Sequence, residues 1–100
     1  MANPRTSIAR TADSKAVTSA SSLALASNPD RLEVTIVNDA DTADVYLGFV
    51  TPSNPTGAAI AGKGIALNLN GGNWTSSSYT GAITVVTAGA GVSSVTVLEF

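Results

Sequence analysis

A long, almost uncharged stretch of sequence constrains the fold of this chain most. Between Asp44 and Glu99 the only charged residue is Lys63. Thr, Val and Ser alternate through this stretch, and its glycines fall between the alternating segments. Thr and Val favour strands, and alternation with a period of two is typical of a strand with one buried face. The alanines are scattered among Gly and Thr rather than set at helical spacing. The pattern therefore predicts an all-β fold.

The chain offers few groups for chemistry near neutral pH. It has no histidine and no cysteine, although these side chains, with carboxylates and lysines, carry most acid–base and nucleophilic catalysis. Serine and threonine are abundant, but without histidine they lack the usual general base. We therefore predict that the protein is not an enzyme and has neither catalytic residues nor a cofactor.

Length and charge limit the organisation and the partners of the chain. A chain of 100 residues fits one small domain. The net charge is −2, and phosphate binding needs clustered Lys and Arg, so nucleic acid is not an expected partner. No segment approaches the roughly 20 apolar residues of a membrane span, and the N-terminus has no signal-peptide pattern. We expect a soluble protein that does not bind membranes.

Alternating segments predict six strands or more. In the segment 31–37, Leu32, Val34 and Ile36 share one face. Turn residues between neighbouring segments predict two hairpins, one formed by 31–37 with 45–50 and one by 82–88 with 93–100. Further strands are predicted at 16–27 and 64–70, and two more if 58–61 and 74–79 also pair.

A count of about six to eight short strands predicts a small β-sandwich or a jelly-roll-like barrel. We place this domain at residues 15–100. Residues 1–14 are predicted to form an extended N-terminal arm.

The glycine-rich segment 57–64 nearly matches a phosphate-binding loop. Gly64 replaces the hydroxyl residue that would bind magnesium, and a strand pattern follows where the motif needs a helix. We therefore interpret the segment as a plain loop with Lys63 solvated at its tip.

An acidic loop carries Asp39, Asp41 and Asp44 beside Asn38. Several oxygen ligands in one loop can hold a calcium ion, but the spacing departs from that of an EF-hand. Acidic residues between two strands also serve turn geometry alone. Both interpretations stay open here, and we assign no metal ligand.

Two aromatic residues, Trp74 and Tyr79, lie in a Ser- and Thr-rich segment. Such a pair can stack on sugar rings, which would make the domain a glycan-binding module. Alternatively, Trp74 closes the end of the sandwich and Tyr79 anchors a turn. We favour contact with the core or with another subunit for both, and we assign the same role to Val95, Val97 and Phe100.

The order of four segments is distinctive: SNPDRLEVTIVND, VYLGFVTP, GKGIALNLNGG and SYTGAITVVTAGAGVSSVTVLEF. This order resembles small virion proteins of tailed bacteriophages, and is most similar to head decoration, or cement, proteins. The resemblance covers about residues 27–100. The positions that carry it are Arg31, Thr35 to Asn38, Val45 to Phe49, Gly62 to Gly64, Tyr79 to Gly81, and Val95 to Glu99.

The resemblance implies a structural protein without catalytic residues that binds the outer capsid surface and bridges subunits of the major capsid protein. It also implies a homo-oligomer, either a trimer or a dimer, that is made in the host bacterial cytoplasm and located on the virion. The arm is not covered by the resemblance, but its basic residues Arg5 and Arg10 are our predicted capsid contacts. Two alternatives remain: a glycan-binding β-sandwich module, and a tail or neck component of a phage particle.

Overall fold

The computed structural model describes residues 11–88 and 91–100. These residues contain no helix that could cross a membrane. They form eight β-strands: β1 Thr11–Val17, β2 Ser22–Leu25, β3 Val34–Asn38, β4 Val45–Phe49, β5 Ile65–Leu67, β6 Gly72–Ser76, β7 Ile83–Thr87 and β8 Ser93–Glu99.

The strands form two antiparallel sheets of four strands each. Sheet A has the order β1-β8-β3-β6, and sheet B has the order β2-β7-β4-β5. Each of the first four strands thus pairs with one of the last four, β1 with β8, β2 with β7, β3 with β6 and β4 with β5. This is the winding of a jelly roll. The predicted all-β sandwich or jelly-roll-like fold is confirmed.

Both predicted hairpins are wrong. β3 lies in sheet A between β8 and β6, whereas β4 lies in sheet B between β7 and β5. β7 and β8 are also in different sheets. Packed sheets lie about 10 Å apart, and the residues between these strands carry the chain across that gap rather than folding it back within one sheet.

The predicted boundary between arm and domain falls inside a strand. β1 begins at Thr11 and pairs with β8 along its whole length, from Thr11 opposite Glu99 to Val17 opposite Ser93. Residues 11–14 therefore belong to sheet A, and the rest of the predicted arm lies outside the described residues.

Several other predicted strand limits also change. The predicted strand 16–27 is two strands, because residues 18–21 carry the chain from sheet A to sheet B. Residues 58–61 form no strand, whereas residues 74–76 belong to β6.

The core lies between the sheets and follows from the alternation in the sequence. Successive side chains of a strand point to opposite faces, so every second β-branched or leucine side chain turns inward. Burying such a side chain contributes about 1.5–3 kcal/mol. The buried apolar cluster consists of Val17, Val34, Ile36, Val45, Leu47, Leu67, Ile83, Val85, Val95 and Val97.

Candidate interaction surfaces

Three aromatic side chains join the two sheets at one end of the core. Phe49 ends β4 in sheet B, and its ring centroid lies 4.9 Å from that of Trp74 on β6 in sheet A. The rings of Phe49 and Tyr79 are 5.1 Å apart and nearly perpendicular, at 84°. All three pack against the buried apolar cluster and are only partly exposed. Edge-to-face contacts of this kind add to the stabilisation from burial alone.

The hydroxyl of Tyr79 connects two loops. It donates a hydrogen bond to the carbonyl oxygen of Ala82 at 2.7 Å and accepts one from the N–H of Val50 at 3.2 Å. The rings of Trp74 and Tyr79 both pack on Phe49. Both side chains therefore contact the core of the sandwich.

A buried ion pair lies beside this aromatic cluster, and sequence analysis missed it. The Arg31 Nε donates to Glu99 Oε2 at 2.9 Å, and the two residues are 5% and 7% exposed. The guanidinium also donates to the carbonyl oxygens of Tyr79, Gly81 and Ala26 at 3.1, 3.0 and 2.7 Å. Through these contacts Arg31 fastens three loop carbonyl oxygens to the end of β8.

The sequence does contain a signal for this pair. Val95 and Val97 point inward, and alternation places Glu99 on the same face. A buried carboxylate needs a partner. Phe100, which follows, is half-buried and exchanges backbone hydrogen bonds with the start of β3: its N–H donates to the Glu33 carbonyl, and its carbonyl accepts from Leu32, both at 2.8 Å.

The opposite end of the sandwich is organised by Asn38, which is fully buried at the end of β3. Its Nδ2 donates to the carbonyl oxygens of Ala43 and Leu67, each at 2.9 Å, and its Oδ1 accepts from the Ser93 hydroxyl at 3.0 Å. One amide therefore connects β3, the acidic loop, β5 and β8.

Two of the three acidic side chains of that loop, those of Asp39 and Asp44, have hydrogen-bond partners elsewhere in the sandwich. Asp39 Oδ2 accepts a hydrogen bond from the Thr96 hydroxyl at 2.8 Å, and Asp44 Oδ1 accepts one from the N–H of Leu69 at 2.9 Å. Within residues 11–88 and 91–100, no three His, Cys, Asp or Glu side chains are grouped as metal ligands would be. Asp39 and Asp44 thus connect the loop to β8 and to the segment after β5.

The four strands of sheet A present a broad outer face to which they contribute no charged side chain, and the carboxylate of the loop residue Asp39 reaches it at Thr96. The residues on this face alternate with the inward-pointing ones, and in β1 the charged side chains of Asp13 and Lys15 lie on the same side as Val97 and Val95, away from it. The face, here called the outer face of sheet A, consists of Ala12, Ser14, Ala16, Thr35, Val37, Asn73, Thr75, Ser94, Thr96 and Leu98.

The outer side of sheet B is partly covered by the loop between β4 and β5. Ala59 lies over Gly48, and its N–H donates to Ser21 Oγ at 3.0 Å. A groove of about 440 Å³ beside this loop is lined by residues that include Phe49, Ile60 and Lys63. Lys63 is exposed and forms no ion pair within the described residues.

The predicted site residues are thus distributed over different environments. Val95 and Val97 are core residues, Trp74 and Tyr79 belong to the aromatic cluster, and Arg5 and Arg10 lie outside the described residues. Models of protein families, curated proteins and solved structures give no match to this chain. The described residues define a small jelly-roll domain in which the strands of sheet A contribute no charged side chain to its outer face.

Proposed function

We propose that this protein is a structural virion protein of a tailed bacteriophage that binds the outer capsid surface and bridges neighbouring subunits of the major capsid protein. The observation that carries the proposal is the outer face of sheet A, to which the four strands contribute no charged side chain, while the loop residue Asp39 brings one carboxylate to Thr96. A face with so little charge costs little to desolvate when it is covered, and it lacks most of the charges that keep free proteins apart. The resemblance of residues 27–100 to head decoration proteins supports the same role.

The mechanism is thermodynamic. A subunit that binds the assembled lattice but not free capsid proteins stabilises the lattice by mass action, by about 2.7 kcal/mol when its concentration is 100 times its dissociation constant. A subunit or oligomer that contacts two capsid proteins gains further affinity, because the second contact is intramolecular. This role needs neither a catalytic group nor a cofactor.

The proposed location of the protein is the capsid surface of the virion, and the protein is synthesised in the bacterial cytoplasm. Arg5 and Arg10 contribute in this proposal by contacting acidic groups of the capsid. Such contacts are weakened by salt, whereas burial of the outer face of sheet A is not.

Co-sedimentation with purified, expanded heads tests the proposal. The wild-type protein is expected to pellet with heads and to raise the temperature at which they release their genome. The double variant S14K/S94K places two charges on the outer face of sheet A and is expected to lose binding. The matched control S19K/S77K adds the same charge at exposed loop positions and is expected to bind normally.

The outcomes separate the alternatives. If the wild-type protein does not bind heads, the decoration role fails, and binding to tails instead identifies a tail or neck component. If S14K/S94K binds heads as the wild type does, the outer face of sheet A is not the contact.

The arm is tested separately with R5A/R10A, for which K63A is the single-charge control at an exposed loop. We expect weaker binding of R5A/R10A and a shallower dependence of binding on salt. Removal of residues 2–10 is the matching deletion, because it stops before β1. Unchanged binding after this deletion would exclude the arm as a contact.

A further inference from the structure

A sheet edge exposes unpaired N–H and C=O groups that can pair with another chain, and proteins usually protect their edges with charges, bulges or very short strands. This jelly roll has four edge strands, β1 and β6 in sheet A and β2 and β5 in sheet B.

Three of the four edges are protected. β1 carries two charged side chains, Asp13 and Lys15, on the side that faces the interior. β2 has a register shift between Leu23 and Leu25, which is typical of a bulge. β5 is only three residues long.

The fourth edge, β6, has none of these features. It spans five residues, Gly72–Ser76, without a charge or a proline. Its register with β3 is continuous, from Val34 opposite Ser76 to Asn38 opposite Gly72. Within the described residues, the backbone of residues 73–75 has no partner besides β3.

We propose that β6 is a dimerisation edge, on which β6 of a second copy of this chain adds as an antiparallel strand. The two copies of sheet A then form one continuous sheet about a two-fold axis. Such an interface is isologous, so the strand must be compatible with itself.

The sequence of β6 meets that requirement. In a pairing centred on Trp74, Asn73 lies opposite the partner subunit's Thr75, and Gly72 lies opposite the partner subunit's Ser76. No like charges meet across the axis, because β6 has no charges. Asn73 and Thr75 are exposed on the outer face of sheet A, where an amide and a hydroxyl can hydrogen-bond across strands.

This inference does not depend on the proposed capsid role. If both hold, the two-fold axis places two outer faces of sheet A side by side, which suits a protein that bridges two capsid subunits.

Sedimentation equilibrium tests the dimer. The wild-type protein is expected to reach twice the chain mass of 10.0 kDa, whereas N73K/T75K is expected to dissociate, with a dimer dissociation constant raised at least about tenfold. In this variant the positive charges introduced at positions 73 and 75 lie opposite each other across the two-fold axis, and they repel. The control A12K/S14K adds the same charge to the outer side of β1 and is expected to remain dimeric.

A charge-reversal experiment distinguishes loss of the dimer interface from misfolding of the variants. N73E/T75E alone is expected to be monomeric, and mixing it with N73K/T75K is expected to restore a dimer. The interface can be located by the emission of Trp74, the only tryptophan, and by amide exchange of residues 72–76, both of which are expected to depend on protein concentration.

The proposal is overturned by a wild-type protein that is monomeric at all concentrations, by a dimer that persists in N73K/T75K, or by a mixture that stays monomeric. Protection of β6 amides only in the presence of heads would assign the edge to a capsid strand instead. Head binding by a monomeric wild type would leave the proposed function intact.

Discussion

At the scale of single residues, the buried ion pair of Arg31 and Glu99 has the largest expected effect on stability. A buried pair adds little net stability relative to apolar residues of similar volume, because both charges are desolvated. Removing one partner is different, since the other charge stays buried without compensation. Arg31 also satisfies three backbone carbonyls.

We expect Arg31→Ala to lower the free energy of unfolding by about 3–5 kcal/mol, because Glu99 is left buried without a counter-charge and keeps only the hydrogen bond from Asn28 Nδ2 at 3.2 Å. Urea unfolding followed by circular dichroism measures the change. Lys63→Ala removes an exposed cation and is expected to stay within about 0.5 kcal/mol of wild type. A loss below about 1 kcal/mol in Arg31→Ala would contradict this account of the pair.

Asn38 provides a second prediction at this scale. Asn38→Asp keeps the shape of the side chain but replaces the Nδ2 donor, which serves two carbonyl oxygens, with a buried oxygen acceptor. We expect a loss of at least about 3 kcal/mol in the free energy of unfolding. Asn68→Asp makes the same change at an exposed position outside β6 and should cost little. Equal melting temperatures for the two variants would contradict the role of the Asn38 network.

Some of these side-chain positions can be predicted from the sequence. Alternation with Val95 and Val97 predicts that Glu99 points inward, and the large aromatic side chain of Trp74 predicts that this residue contacts the core. It does not identify the partners. Arg31 precedes the first strand-like alternation of β3 and is distant from Glu99 in sequence, so only the pairing of β3 with β8 brings them together.

At the scale of elements, the loop between β4 and β5 depends on a single glycine. A Cβ at Gly48 would lie 2.5 Å from the backbone nitrogen of Ala59 and 2.6 Å from its Cα. The loop therefore contacts the sheet directly along its backbone. Only glycine at position 48 permits this approach.

We expect Gly48→Ala to cost about 3 kcal/mol, because loop backbone must move to relieve the overlap. Gly62→Ala tests the alternative cause: Gly62 has a φ of +81° but open space around it, so we expect a cost of about 1 kcal/mol from backbone strain alone. Thermal unfolding measures which of the two variants loses more stability. The close contact would be refuted if Gly62→Ala were the more destabilised.

Strand positions are more predictable than strand partners. The alternation of Leu32, Val34 and Ile36 reports a buried face wherever the strand is placed. The alternation does not indicate which strand pairs with it in the sheet. The turn-like residues 39–44 predict that the chain reverses direction. A reversal within one sheet and a crossing between two sheets use the same residue types, so the sequence predicts a hairpin of β3 and β4 that the structure does not contain.

At the scale of the whole molecule, the structure shows where the few charged side chains lie relative to the two sheets. The four strands of sheet B carry no charged residue, and in sheet A the strand charges are Asp13, Lys15 and Glu99. The remaining charges of the described residues lie in loops. The sequence shows that charges are scarce after Asp44, but it does not indicate on which face of the fold the uncharged side chains lie.

Truncation tests the position of the domain boundary. We expect removal of residues 2–10 to leave the melting temperature within a few degrees of wild type, because β1 stays intact. Removal of residues 2–17 deletes β1, uncovers the edge of β8 and exposes Val95 and Val97, so cooperative unfolding should be lost. Differential scanning calorimetry distinguishes the two. A cooperative transition in the longer deletion would show that β1 is dispensable.

The position of β8 also has a consequence for synthesis on the ribosome. β8 comes last of the eight strands in chain order, yet it lies inside sheet A between β1 and β3, as β7 lies inside sheet B between β2 and β4. β1 has no strand neighbour until β8 has emerged from the exit tunnel. The nascent chain therefore cannot complete either sheet early, and a chain that stops before β8 remains unfolded and open to proteolysis.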